Sequence, residues 1–334
     1  MAHRRFSLIV VAGSVLLFAV TMAANVVLDP EAVFGSGLFP PSANRNERVE
    51  RLQAYKRDAS SVDGLLFSSS RGVYLDHDML AQKMGVSHLL SLSVSYGMIT
   101  DHLPILSYIL RDKAARGQKL KAAMLLLDAD FFGTPPWTDS NINSFLPPEL
   151  SGGSAPRYWW RYLTVFQFRL WRDVVRASLN PGRGQAGASG SNEEPVMASP
   201  PRSPTFTMSE DYRRHWNSNR PDFDRQYKKF EEFAGLCRDN GVQLTVAISP
   251  LIRQHLDLYE PGMLDALIAR LSRVVAIWDF SSSMAIADHQ EYWLDVSHFD
   301  RDVGTMMIGR IFGNDRIALA IPADFGRLRV SRKN

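Results

Sequence analysis

The sequence predicts an α/β domain on a doubly wound, five-stranded parallel sheet with helices on both faces, preceded by one transmembrane helix. Three observations predict it: short apolar runs with turn residues at their ends, helical patterns between those runs, and a long apolar segment near the N-terminus.

The runs are residues 63–68 (DGLLFS), 87–92 (SHLLSL), 122–127 (AAMLLL), 243–249 (QLTVAIS) and 273–280 (RVVAIWDF). Each is short and apolar on both faces, as a strand buried in a parallel sheet requires. Helical patterns fall at 76–84, 100–116, 225–240, 262–271 and 303–312. Strands alternating with helices build right-handed βαβ units. Such sheets place their chemistry at the carboxyl ends of the strands, so the residues that follow each run are candidates for function.

Residues 6–27 (FSLIVVAGSVLLFAVTMAANVV) form an almost uninterrupted apolar segment. Crossing a bilayer core takes roughly 20 residues at about 1.5 Å each, so the segment is long enough to span. His3-Arg4-Arg5 precede it, and Asp29 and Glu31 follow it. The positive-inside rule then keeps residues 1–5 cytoplasmic and exports the rest, at the inner membrane of a cell with an envelope. A cleaved signal peptide is the rival reading, with Ala23 and Ala24 near the cleavage point. The anchor is preferred because the run exceeds the usual apolar region of about 7–15 residues and no clear A-x-A ends it.

Residues 28–58 read as a connector rich in Pro, Gly and Asn, with a polar helix over 47–57. The main domain is expected over 59–314, interrupted by an insertion at 134–215. Within that insertion Pro135-Pro136-Trp137 opens a loop, 157–179 reads as one aromatic, basic helix, and 180–204 has a disordered composition. The aromatic helix either lies on a membrane surface, since it mixes Trp and Tyr with Arg, or caps the core or lines a cleft. Residues 315–334 form a basic C-terminal tail, whose Arg-rich end over 327–334 reads as solvated.

Composition excludes several classes of function. A chain of 334 residues with 45% apolar and 22% charged residues is an ordinary globular chain, large enough for one α/β domain with accessories or two small domains. The formal charge of +3 arises from scattered Arg with no basic block in the predicted fold, which argues against nucleic acid as a partner. Cys237 is the only cysteine, so there is neither an intrachain disulfide nor a cysteine-based metal site. The histidines show no ligand spacing such as H-x-x-x-H, and no metal or cofactor is expected.

Two segments carry candidate chemistry. The first strand runs into Phe67-Ser68-Ser69-Ser70-Arg71-Gly72, and a serine at a strand-to-helix turn projects its hydroxyl over the strand ends. Before the last helix stands Tyr292-Trp293-Leu294-Asp295-Val296-Ser297-His298-Phe299. A carboxylate three residues ahead of a histidine can fix one ring nitrogen and leave the other to take a serine proton. The plain alternative is that Ser70 caps the following helix and His298 bonds a loop.

These segments resemble the SGNH hydrolases, the GDSL-type esterases and acyltransferases, and in particular the anchored SGNH-like proteins of bacterial envelopes associated with polysaccharide O-acetylation. The resemblance rests on an apolar span followed by Asp29-Pro30-Glu31-Ala32-Val33-Phe34, the serine block, the Asp279-Phe280-Ser281 strand end, and the closing Asp295-Val296-Ser297-His298-Phe299. It implies a flavodoxin-like sheet, with Ser70 as nucleophile, His298 as base and Asp295 as the acid that orients it. It further implies that Gly97, in Ser93-Val94-Ser95-Tyr96-Gly97, joins the N–H of Ser70 in an oxyanion hole. Two positions depart from the family pattern. Ser68 stands where a glycine is usual, and the third strand ends Leu127-Asp128-Ala129-Asp130 where an Asn usually supplies the oxyanion hole. An ionised Asp repels a developing oxyanion, so Asp128 and Asp130 must point elsewhere or be protonated.

Arg71, Asp128, Asp130 and Trp293 are candidate substrate-binding residues; for Arg71, a structural pairing with Asp76 or Asp128 is the alternative. The implied activity is a serine esterase or O-acyltransferase on acylated, typically acetylated, envelope glycan, with a multi-span acyl-donating membrane protein as partner. A non-catalytic glycan-binding or assembly protein, with Tyr96, Trp137 and Trp293 lining its cleft, is the second expectation.

Overall fold

Five of the strands lie where the apolar runs predict. In the computed structural model they are β1 (Gly64–Phe67), β2 (Leu89–Ser91), β3 (Ala122–Leu127), β4 (Gln243–Ile248) and β5 (Ile277–Asp279). All five are parallel, in the order β2-β1-β3-β4-β5. The structure describes residues 2–40, 46–129, 146–179, 207–208, 223–313 and 319–330. Asp130, Trp137 and the segment 180–204 lie outside the described residues.

The five-strand count needs correction. Residues Arg327–Arg329, read from sequence as part of a solvated tail, form a sixth strand, β6, antiparallel to β5. The cause is a pairing that an Arg-rich composition conceals. Buried Asp279, at the end of β5, accepts from Arg329 Nε at 3.2 Å and Nη2 at 3.0 Å. Phe325 is fully buried against Phe280, with ring centroids 4.8 Å apart.

The chain divides into two compact units. One comprises Tyr55–Ile142 and Ala198–Asn334 and contains the sheet. Its helices include α3 (His77–Met84), α4 (Ile99–Ala115), α7 (Phe223–Asp239), α8 (Met263–Leu271) and α9 (Arg301–Phe312). Side chains alternate along a strand, so neighbours serve opposite faces. On one face Leu66, Met124 and Leu126 share a core with Leu80 of α3 and Val303, Met306 and Met307 of α9. On the other, Phe67 meets Phe233 of α7 edge-on at 5.1 Å and His102 of α4 at 5.5 Å.

The second unit comprises Met1–Ala54 and Asn143–Met197. Its first element is α1 (Ala2–Leu28), an apolar helix long enough to cross a membrane. The predicted helix over 157–179 is two helices, α5 (Ala155–Thr164) and α6 (Phe168–Leu179). The break forms because Asn25 of α1 takes up two carbonyls at that point. Its Nδ2 donates to Leu163 O at 3.0 Å and Val165 O at 2.8 Å, a partner that no local periodicity reveals. The polar helix α2 (Glu47–Asp58) forms as expected.

The Asp29-Pro30 segment is a turn. The Asp29 carboxylate accepts from the N–H groups of Val33, Phe34 and Ser36 at 2.8, 3.0 and 3.1 Å. The motif quoted from sequence is thereby accounted for as the device that redirects the chain at the end of α1.

Candidate active site

β1 ends at Phe67, and a 3-10 turn over Ser70–Tyr74 follows. Ser69 caps it, its Oγ accepting from Arg71 N at 3.2 Å. The cap is therefore Ser69, and the Ser70 side chain is left to project. Ser68, the departure from glycine, is fully buried. Its hydroxyl bonds Ser69 O at 2.8 Å and Ser93 Oγ at 2.6 Å, and Ser93 Oγ lies 2.9 Å from Ser91 Oγ. The extra side chain is thus absorbed in a chain of serine hydroxyls behind the turn.

The second half of the site is the segment before α9. An isolated antiparallel bridge pairs Trp293 with Phe299, Leu294 N donates to His298 O at 2.8 Å, and Asp300 N donates to Tyr292 O at 2.8 Å. Asp300 then caps α9, accepting from Val303 N at 3.1 Å. Gly304 allows α9 to come close to the serine turn, since a Cβ there would overlap the Tyr74 carbonyl.

These elements bring Ser70, His298 and Asp295 together. Ser70 Oγ lies 2.9 Å from His298 Nε2, and His298 Nδ1 lies 2.8 Å from Asp295 Oδ2 and 3.0 Å from Oδ1. Asp295 Oδ1 also accepts the N–H groups of Ser297 at 2.7 Å and His298 at 2.9 Å. Partial burial pushes the Asp295 carboxyl up, but the His298 hydrogen bond and charge, with those two N–H groups, outweigh it. Its pKa therefore lies below the ordinary carboxylate range. An ionised carboxylate only accepts, so Nδ1 carries a ring proton, and in the neutral ring Nε2 accepts from the Ser70 hydroxyl. The His298 side chain is 25% exposed and Asp295 52%, so the trio opens to solvent.

Arg71 and Asp128 lie behind this trio and form a buried ion pair at 2.9 Å, 3% and 1% exposed. Arg71 Nη1 also donates to Ser249 Oγ at 2.9 Å, Ser249 Oγ to Asp128 Oδ1 at 2.6 Å, and Arg71 Nε to Ser297 O at 2.6 Å. One guanidinium thus ties the carboxyl ends of β3 and β4 to the carbonyl beside His298. Burial takes both residues out of the substrate-binding role considered for them, and Asp128 points at Arg71. Ser249, which the sequence reading did not single out, completes the cluster; its signal is that it directly follows β4.

Two further expectations change. Trp293 is 1% exposed, its Nε1 donating to Ile286 O at 3.0 Å, because the indole fills the core between the closing loop and α9. It therefore presents no face to a ligand. The Gly97 N–H donates to Val94 O at 2.9 Å across a turn whose third residue, Tyr96, has φ +53°. That donor is committed, which removes it from an oxyanion hole in this conformation. Gly97 is required for another reason: a Cβ there would stand 2.6 Å from Ser68 O. The Ser70 N–H, first in the 3-10 turn, has no backbone acceptor among the described residues.

Among the described residues no three His, Cys, Asp or Glu side chains converge as metal ligands. A relay of this geometry can withdraw a proton from Ser70 and return it to a leaving group. No protein-family model matches the chain, and no curated protein matches it.

Proposed function

We propose that the protein is a membrane-anchored serine esterase or O-acyltransferase that uses Ser70, His298 and Asp295 on acylated, typically acetylated, envelope glycan. The observation that carries this reading is the alignment of three side chains from two distant segments, at 2.9 Å and 2.8 Å. Structural loops rarely need such an order, whereas proton relay requires it. The strand order β2-β1-β3-β4-β5 supports a doubly wound sheet of the SGNH type, with Ser70 past the carboxyl end of β1, which lies between β2 and β3 where the strand order reverses. On this reading α1 anchors the chain in the inner membrane with the sheet domain outside the cytoplasm, and a multi-span acyl-donating membrane protein is a partner.

In the reaction, Ser70 Oγ attacks the ester carbonyl while His298 Nε2 takes its proton. The C–O bond to the donor then breaks, and the leaving alcohol takes that proton back, which yields an acyl-Ser70 ester. Water or a sugar hydroxyl, giving its proton to His298 Nε2, attacks this ester; the acyl–Oγ bond breaks and His298 returns the proton to Ser70 Oγ, which regenerates the serine and releases the acid or the acylated sugar. The Ser70 N–H is one oxyanion donor. Incubating the full chain with an aryl acetate, then weighing it intact and as its proteolytic peptides, tests the proposal. Acetyl mass on the Ser70 peptide, absent from Ser70→Ala, supports it; turnover equal in both sinks it.

A second reading, a glycan-binding or assembly protein without turnover, draws on the committed Gly97 N–H. The burial of Trp293 weakens it, since that ring offers no stacking platform.

A further inference from the structure

The unit containing α1 carries a surface that the proposed chemistry does not use. From His3 to Val20, α1 is exposed on every side; beyond that one face is covered, with Thr21, Asn25 and Asp29 buried at successive turns. Helices α5 and α6 cover it. Besides the two carbonyls that Asn25 caps, its Oδ1 accepts from Trp171 Nε1 at 2.8 Å. The Trp160 ring lies 5.9 Å from that of Phe18. An amide inside hydrocarbon must find partners within the protein, and Asn25 finds three.

The depth of this contact follows from length. A bilayer core of about 30 Å takes about 20 residues of helix, and counting those from Phe6, just past Arg4 and Arg5, ends at about Asn25. The stretch from Phe18 to Asn25 therefore belongs to the hydrocarbon, and so does whatever packs on it. On α5, α6 and the corner between them, Trp160, Phe166 and Phe168 are 59%, 63% and 61% exposed. Phe166 and Phe168 stack with centroids 6.5 Å apart, and exposed rings of this size are costly in water and at home in lipid. Beside Phe166 and Phe168 opens a cleft of about 640 Å³ whose lining includes Arg161 and Arg169, with Glu31 as its one acidic residue. Long cationic side chains next to apolar rings match the boundary between acyl chains and anionic headgroups.

We infer that α5 and α6 form a wedge seated in the leaflet at the C-terminal end of α1, with Trp160, Phe166 and Phe168 among acyl chains and the arginines at lipid phosphates. The inference rests on the proposed membrane span and extends it to a second, non-spanning contact.

Cys237 is buried and its thiol is pushed up to about 12 by burial, so a Cys237→Ser background suits site-specific labelling. The full chain carrying Val11→Cys, Phe166→Cys or Lys119→Cys is labelled with an environment-sensitive fluorophore. Each is then reconstituted into phosphatidylcholine–phosphatidylglycerol vesicles containing lipid-borne quenchers. The wedge predicts quenching at Val11 and at Phe166 but not at Lys119. Quenching at Val11 with Phe166 behaving like Lys119 overturns the wedge and leaves the span intact. No quenching at Val11 overturns the span and the wedge together.

Discussion

Asp295 decides whether the Ser70–His298 pair can relay a proton. Its carboxyl is held below the ordinary range, so it is ionised wherever pH exceeds about 4, the usual carboxylate value. The sign follows from linkage: a depressed carboxylate contributes above its unfolded pKa, and that contribution is lost as pH falls through the lower folded value. Asp295→Asn should slow reaction with an aryl ester by roughly 10²- to 10⁴-fold while leaving the melting temperature little changed, because the side chain is half exposed. A slowing that matches a loss of folded protein would contradict this. Asp128 shows the opposite balance. Asp128→Ala strands Arg71 in the interior and should destabilise the fold by about 3–5 kcal/mol in denaturant titrations, whereas replacing both partners by apolar residues should recover much of it. The pairing of Arg71 with Asp128 is the alternative that the sequence offered for that arginine, whereas the burial of Trp293 is not legible in sequence, because an aromatic in a loop looks the same on a surface as in a core.

At the scale of elements, the sheet was the legible part. Runs such as AAMLLL are apolar on both faces, and only a strand covered from both sides tolerates that. What escaped were contacts between segments far apart in sequence: Asn25 with the break between α5 and α6, and Asp279 with Arg329. Local periodicity does not encode such partners. A third contact of this kind joins the starts of β1 and β2. Asp63 accepts from Ser87 N and His88 N and pairs with Lys121 at 2.7 Å. Burial pushes its carboxyl up, but these partners outweigh it and set its pKa below the usual value. Asp63→Asn should therefore cost about 1.5–3 kcal/mol near neutrality, the range for hydrogen bonds to charged groups. Melting curves should show that deficit shrinking as pH falls below about 4 and the wild-type carboxylate is protonated. A deficit independent of pH would place the effect in packing.

For the whole molecule, the candidate site draws on residues 228 positions apart, Ser70 and His298, that the sheet brings within a hydrogen bond. The serine block and the closing Asp–x–x–His pattern were legible because each is local, and their meeting follows from both lying at carboxyl ends of the fold. The oxyanion donors were not legible, since a glycine N–H looks alike whether it faces a turn or a substrate.

The most direct test of the account is labelling of the full chain in detergent with a fluorescent serine-reactive phosphonate, beside Ser70→Ala and His298→Ala. The account predicts a labelled wild type with the adduct on Ser70 and almost no signal in either variant, all three being folded by circular dichroism. Wild-type labelling no stronger than that of Ser70→Ala would contradict it.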